Sequence, residues 1–86
     1  MVSFRIIDQT MNKKSLSLLL KTIGEQLGKL RKKKGFSTIK EFATKYNLPA
    51  IQYWRIEKGK ANLTIKSLGR ILQIHKISFD EFFCAF

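Results

Sequence analysis

Eighty-six residues set the scale: one small domain, of a size that buries only roughly 60% of the surface its unfolded chain exposes. Hydrophobic residues make up 44%, with seven Phe among them, which is enough for a core and excludes the composition of a disordered chain. Seventeen Lys and Arg against six Asp and Glu leave a net charge of +11, the balance of a surface that meets a polyanion such as nucleic acid or an anionic membrane.

In chain order, Val2, Phe4 and Ile6 alternate with Ser3 and Arg5, a period-two pattern that suits a short arm pairing as a strand better than a frayed terminus. Residues 9–14 are polar and read as a linker, so 1–14 are expected to form an N-terminal arm and residues 15–86 the folded domain. Leu16, Leu19, Leu20, Ile23, Leu27 and Leu30 then fall at helical spacing and predict one long amphipathic helix. Asn12 or Ser15 is its candidate cap. Gly24 and Gly28 weaken such a helix, so a close packing contact is expected there. Lys29, Arg31, Lys32, Lys33 and Lys34 crowd its last turns, where cations complement the helix dipole, and Gly35 stops it.

A second, shorter helix starts at Ser37 or Thr38 and turns Ile39, Phe42, Ala43 and Tyr46 inward. Asn47 breaks it, because a short amide side chain tolerates the left-handed turn. Leu48 is held extended by the Pro49 that follows. A third helix over Pro49 to Lys58 has Tyr53 and Ile56 as its inward residues, and Gly59 ends it. Thr64 caps a fourth, with Ile65, Leu68, Ile71, Leu72 and His75 as candidates for the inner face. Ser78 caps a short fifth helix, Phe79 to Phe83, which heads an apolar stripe of Phe79, Phe82, Phe83 and Phe86. The expected fold class is all-α, five helices behind an N-terminal arm.

Several chemistries have no support. Cys84 is the only cysteine and His75 the only histidine, too few for a four-ligand zinc site. Cys84 reads as a small buried or half-buried hydrophobe rather than a reactive thiol. Glu41 and Glu57 are the central carboxylates and both have structural readings. No phosphate-cradling glycine loop or nucleophile motif is present. No enzyme, no metal and no cofactor is therefore expected. No apolar run, Leu18-Leu19-Leu20 included, approaches the length of a membrane span, and the N-terminus lacks a signal-peptide core. A cytoplasmic protein is expected.

Two short helices joined through Asn47 describe a helix-turn-helix. Residues 23 to 83 resemble the phage repressor/Cro-type family, also called the xenobiotic-response-element type. The matching text is Leu30-Arg31 ahead of Gly35, Phe42-Ala43, Asn47-Leu48, Ile56-Glu57-Lys58-Gly59, Leu68 with Ile71, and Ile77-Ser78-Phe79-Asp80-Glu81-Phe82-Phe83. The Tyr53-Trp54-Arg55-Ile56-Glu57 stretch looks like regulators common in the Bacteroidetes. There are departures. One extra residue lies between Gly35 and Phe42, so the polar position opening the second helix maps to Thr38 or Ile39. Asn47 stands for the usual Gly, Pro49 for the usual Ser or Thr cap, Lys76 for a common Gly and His75 for a core leucine.

The resemblance implies double-stranded DNA as partner and a transcriptional regulator, a repressor by type. It places Ala50, Ile51, Gln52 and Arg55 at base edges in the major groove. Arg55 there matches guanine N7 and O6, Gln52 matches adenine or a phosphate, and Ala50 and Ile51 suit a thymine methyl. Thr38, Lys40, Lys58 and Lys60 fall where the family approaches phosphates, while Lys32 to Lys34 read mainly as a solvated helix end. Arg31 and Glu57 match a structural ion pair. A homodimer is expected, through the phenylalanine stripe or through the arm and the Leu16–Leu20 face. The rival reading is an antitoxin-like module that binds a partner protein as well as DNA. A third is a basic membrane-surface helix over residues 13 to 34, against which the folded-domain pattern beyond it argues.

Overall fold

The structure, a computed structural model, describes residues 13–84. Residues 1–12 of the expected arm and linker, the candidate cap Asn12 among them, lie outside the described residues, as does Phe86. Five helices follow one another, α1 (Lys13–Lys33), α2 (Ile39–Lys45), α3 (Ala50–Glu57), α4 (Ile65–Ile74) and α5 (Phe79–Cys84). No strand occurs among the described residues, and the class is all-α.

One device ends the first four helices. Gly35, Asn47, Gly59 and Lys76 all take positive φ, at 101°, 58°, 71° and 57°. In each case the next amide reaches back five residues: Phe36 to the Arg31 carbonyl, Leu48 to Ala43, Lys60 to Arg55 and Ile77 to Leu72, at 2.8 to 3.2 Å. These bonds satisfy carbonyls that a helix end otherwise orphans. Their starts are equally local. Thr38 and Glu41 form a reciprocal capping box on α2, Ser78 and Glu81 do the same on α5, and Thr64 caps α4 through the Ser67 amide. The alternative cap Ser37 stands one residue outside, its hydroxyl donating to Glu41.

The amphipathic faces close on a single core of Ile23, Leu27, Phe42, Tyr53, Ile56, Leu68, Ile71, Leu72 and Phe82. Phe42 is its hub. Its ring meets Phe36, Tyr46, Tyr53 and His75 at centroid distances of 5.0 to 5.5 Å, and the His75 imidazole lies parallel to it. Helix α1 crosses α3 closely because Gly24 has no side chain. A Cβ there would meet the Glu57 carbonyl oxygen and lie 2.6 Å from that of Ile56.

Four sequence expectations are corrected. Lys13 and Lys14, read as linker, are already helical, which puts Ser15 inside α1 rather than at its cap. The third helix is Ala50–Glu57; Pro49 is its cap residue, with ψ at 114°, and Lys58 its C-cap. Ile65 is not inward but 70% exposed, because the first turn of α4 overhangs the core that Leu68 begins. Cys84 is exposed rather than buried or half-buried, since it follows Phe82 by two residues and so turns off the buried face of α5.

Candidate nucleic-acid interface

Helix α3 has two sides of opposite character. Tyr53, Ile56 and Glu57 are buried, whereas Ala50, Ile51, Gln52, Trp54, Arg55 and Lys58 are exposed. Ile51 is 80% exposed, an isoleucine that adds nothing to the core. The structure thus brings the four candidate base-contacting residues, Ala50, Ile51, Gln52 and Arg55, onto one solvent-facing side of a two-turn helix.

That helix is fixed from below by a buried ion pair. Arg31 Nε donates to Glu57 Oε2 at 2.8 Å and Arg31 Nη2 to Glu57 Oε1 at 3.3 Å, with both side chains about 5–6% exposed. Arg31 Nη1 also donates to the Phe36 carbonyl at 2.7 Å. One guanidinium therefore joins α1, the loop before α2 and the end of α3. Gly28 leaves it room, because a Cβ there would come within 3.1 Å of Glu57 Oε1. The Tyr53 hydroxyl is buried near this carboxylate without a well-formed hydrogen bond of its own. Burial first, and then the Glu57 carboxylate, push its pKa far upward, so Tyr53 stays a neutral phenol. Its role is packing.

The exposed side is organised by the turn after α3. Lys60 donates its amide to the Arg55 carbonyl at 2.8 Å, and Arg55 Nη2 returns a bond to the Lys60 carbonyl at 3.4 Å. The Lys60 ammonium lies 5.6 Å from the centre of the half-exposed Trp54 ring, within cation–π range. Arg55, Trp54 and Lys60 form one basic and aromatic edge. Lys40 is exposed on α2 and Lys58 on the end of α3. Thr38 is placed differently: its hydroxyl accepts from the Glu41 amide and lies 3.1 Å from Glu41 Oε1, so the cap already engages it.

Two features escape sequence reasoning. Arg70 of α4 reaches across to the Asn47 carbonyl at 3.4 Å, bracing the turn between α2 and α3 from a helix distant in sequence. Lys13, Lys14 and Lys21 of α1 come beside Lys58 and Lys60 in one open cleft. Only the fold brings these together. The signal at the sequence level is Gly59, whose missing side chain allows the turn to rest against α1, with a Cβ placed 2.7 Å from Lys21 Cα.

A tight two-helix unit, a left-handed joint at Asn47 and a polar second helix bared to solvent define a helix-turn-helix. A helix-turn-helix family model matches residues 27–82. The chain belongs to this family of DNA-binding transcription regulators. Comparison with curated proteins gave no significant match, and comparison with solved structures gave none either. Among the described residues no helix is long and apolar enough to cross a membrane.

Proposed function

We propose that the protein is a sequence-specific, double-stranded DNA-binding repressor of the phage repressor/Cro type, reading the major groove with α3. The observation that carries this reading is the exposed side of α3, where Ile51, Gln52 and Arg55 stand clear of the core on a helix anchored by Arg31 and Glu57. In this geometry Arg55 is the base-reading cation, bidentate to guanine, and Ile51 and Ala50 touch thymine methyls. Gln52 reads adenine or holds a phosphate. Lys40, Lys58 and Lys60 neutralise phosphates and set the register without reading sequence. Thr38 joins them through the amide end of α2, since its hydroxyl serves the cap. The likeness of the Tyr53–Glu57 stretch to Bacteroidetes regulators belongs to the same reading, as does work in the cytoplasm.

Selection of bound sequences from random duplexes tests it, followed by two variants. Arg55→Ala should weaken the selected site by about 1–3 kcal/mol while changing random DNA little. Lys58→Ala should weaken both alike and flatten the slope of log K against log salt by about one unit. Equal losses for Arg55→Ala on selected and random DNA would remove it from base reading.

We further propose a homodimer, which doubles the contacts of a domain too small to specify a long site alone. Phe79 and Phe83 support it, remaining 38% and 39% exposed beside the buried Phe82 on the same short helix.

A further inference from the structure

The family match begins at residue 27, yet α1 begins at Lys13. Its first fourteen residues, about four turns, thus precede the matched helix-turn-helix. Leu19 and Ile23 of this stretch pack on the core, but Leu16 and Leu18 at its start are 41% and 65% exposed. What the extension does contribute is charge in a defined place. Lys13, Lys14 and Lys21 join Lys58 and Lys60 around a cleft of about 750 Å³, completed by Ser17, Leu18 and Gly59. All five lysines are exposed, and among the described residues no carboxylate lines the cleft. Among the described residues the one ion pair is Arg31 with Glu57, far along α1. Such a concentration of unneutralised ammonium groups is unfavourable unless a polyanion occupies it.

Position identifies the polyanion. A second open groove shares Lys13, Ser17, Gly59 and Lys60 with this cleft and continues past Leu20 to Ile51, Gln52 and Arg55. The lysines therefore adjoin the side of α3 assigned to the bases. Lys14 and Lys21 are seven residues apart and share one face of α1. At 1.5 Å per residue, Lys13 to Lys21 covers about 12 Å, the axial reach of about three to four phosphates of one DNA strand.

We propose that Lys13, Lys14 and Lys21 of the α1 extension, with Lys58 and Lys60, bind the DNA phosphate backbone as a rail beside the recognition helix. The inference rests on the reading of α3 as a duplex-binding helix and adds a contact that the helix-turn-helix alone lacks. The rail contributes affinity and alignment but no sequence preference.

The test compares the full chain with two triple variants on a mixed-sequence duplex and on the selected site. Lys13→Ala/Lys14→Ala/Lys21→Ala should flatten the slope of log K against log salt by about 2–3 units, at roughly 0.9 per phosphate, and leave the ratio of selected to mixed affinity unchanged. Lys29→Ala/Lys32→Ala/Lys33→Ala removes the same charge from α1 outside the cleft and should flatten it by less than about one unit. Circular dichroism should show equal helix content in all three, since Ala is the best helix former. Equal flattening by the two triples would replace the rail with a bulk charge effect and overturn the proposal. An unchanged slope in the first triple would overturn the rail while leaving the α3 reading standing. A full chain that binds neither duplex would overturn both.

Discussion

Arg31 and Glu57 show why a charged pair belongs inside so small a core. Taking both out of water is expensive, and the bidentate contact with the added Phe36 carbonyl offsets that cost. Glu57→Gln leaves the guanidinium buried without its counter-charge and should lower unfolding stability by about 3–5 kcal/mol in urea titrations. Arg31→Met/Glu57→Leu should recover much of this loss; a Glu57→Gln midpoint equal to the wild type would discard the account. His75 gives the second prediction at this scale. Burial first, and then the charge of Lys34, lower its pKa below the ordinary value of 6.5, while Glu57 opposes them. The unfolded chain therefore takes up a proton before the native one does. Stability is fully present above about pH 6.5 and is lost as pH falls through the lowered native pKa. His75→Leu should remove that loss between about pH 6.5 and 5, above the range in which ordinary carboxylates titrate. Identical pH profiles for the two proteins would show that the imidazole contributes nothing.

Between helices, backbone proximity outweighs intrinsic propensity. Gly24→Ala gains about 1 kcal/mol of helix propensity in α1. Its methyl, however, meets the Ile56 and Glu57 carbonyls, which belong to backbone and cannot turn aside. Separating α1 from α3 should cost more than this gain, giving a net loss of about 1–3 kcal/mol. A raised melting temperature would mean that the helices part easily. Much at this scale is legible in sequence, because it is local. Gly35, Asn47 and Gly59 announce helix ends, Thr38 and Glu41 a capping box, and Leu27, Leu68 and Leu72 their inner faces. What escapes depends on where one element overhangs another. Ile65 keeps the spacing of its stripe but lies beyond the core's edge. The approach of Lys21 to Gly59 joins positions 38 residues apart in sequence, and no periodicity contains it. On α3 the exposed side is legible as what the core leaves over, whereas its basic edge depends on how Lys60 folds back over Trp54.

For the molecule as a whole, charge and apolar surface act in opposite directions. A net charge of +11 repels a second copy, while the exposed parts of Phe79 and Phe83 attract one. Sedimentation equilibrium at micromolar concentration without DNA should show the dimer, increasingly so as salt screens the charge. A clean 10.0 kDa species at every salt concentration would exclude a preformed dimer.

Trp54 is the chain's single tryptophan, and it stands on α3, 41% exposed, with its ring beneath the Lys60 ammonium. An indole's emission responds to solvent and to a nearby cation. If a duplex docks on α3 as proposed above, the solvent and the cation around this one ring change. The protein thus carries its own fluorophore on the helix proposed to enter the groove, and that docking can be followed by light without attaching a label.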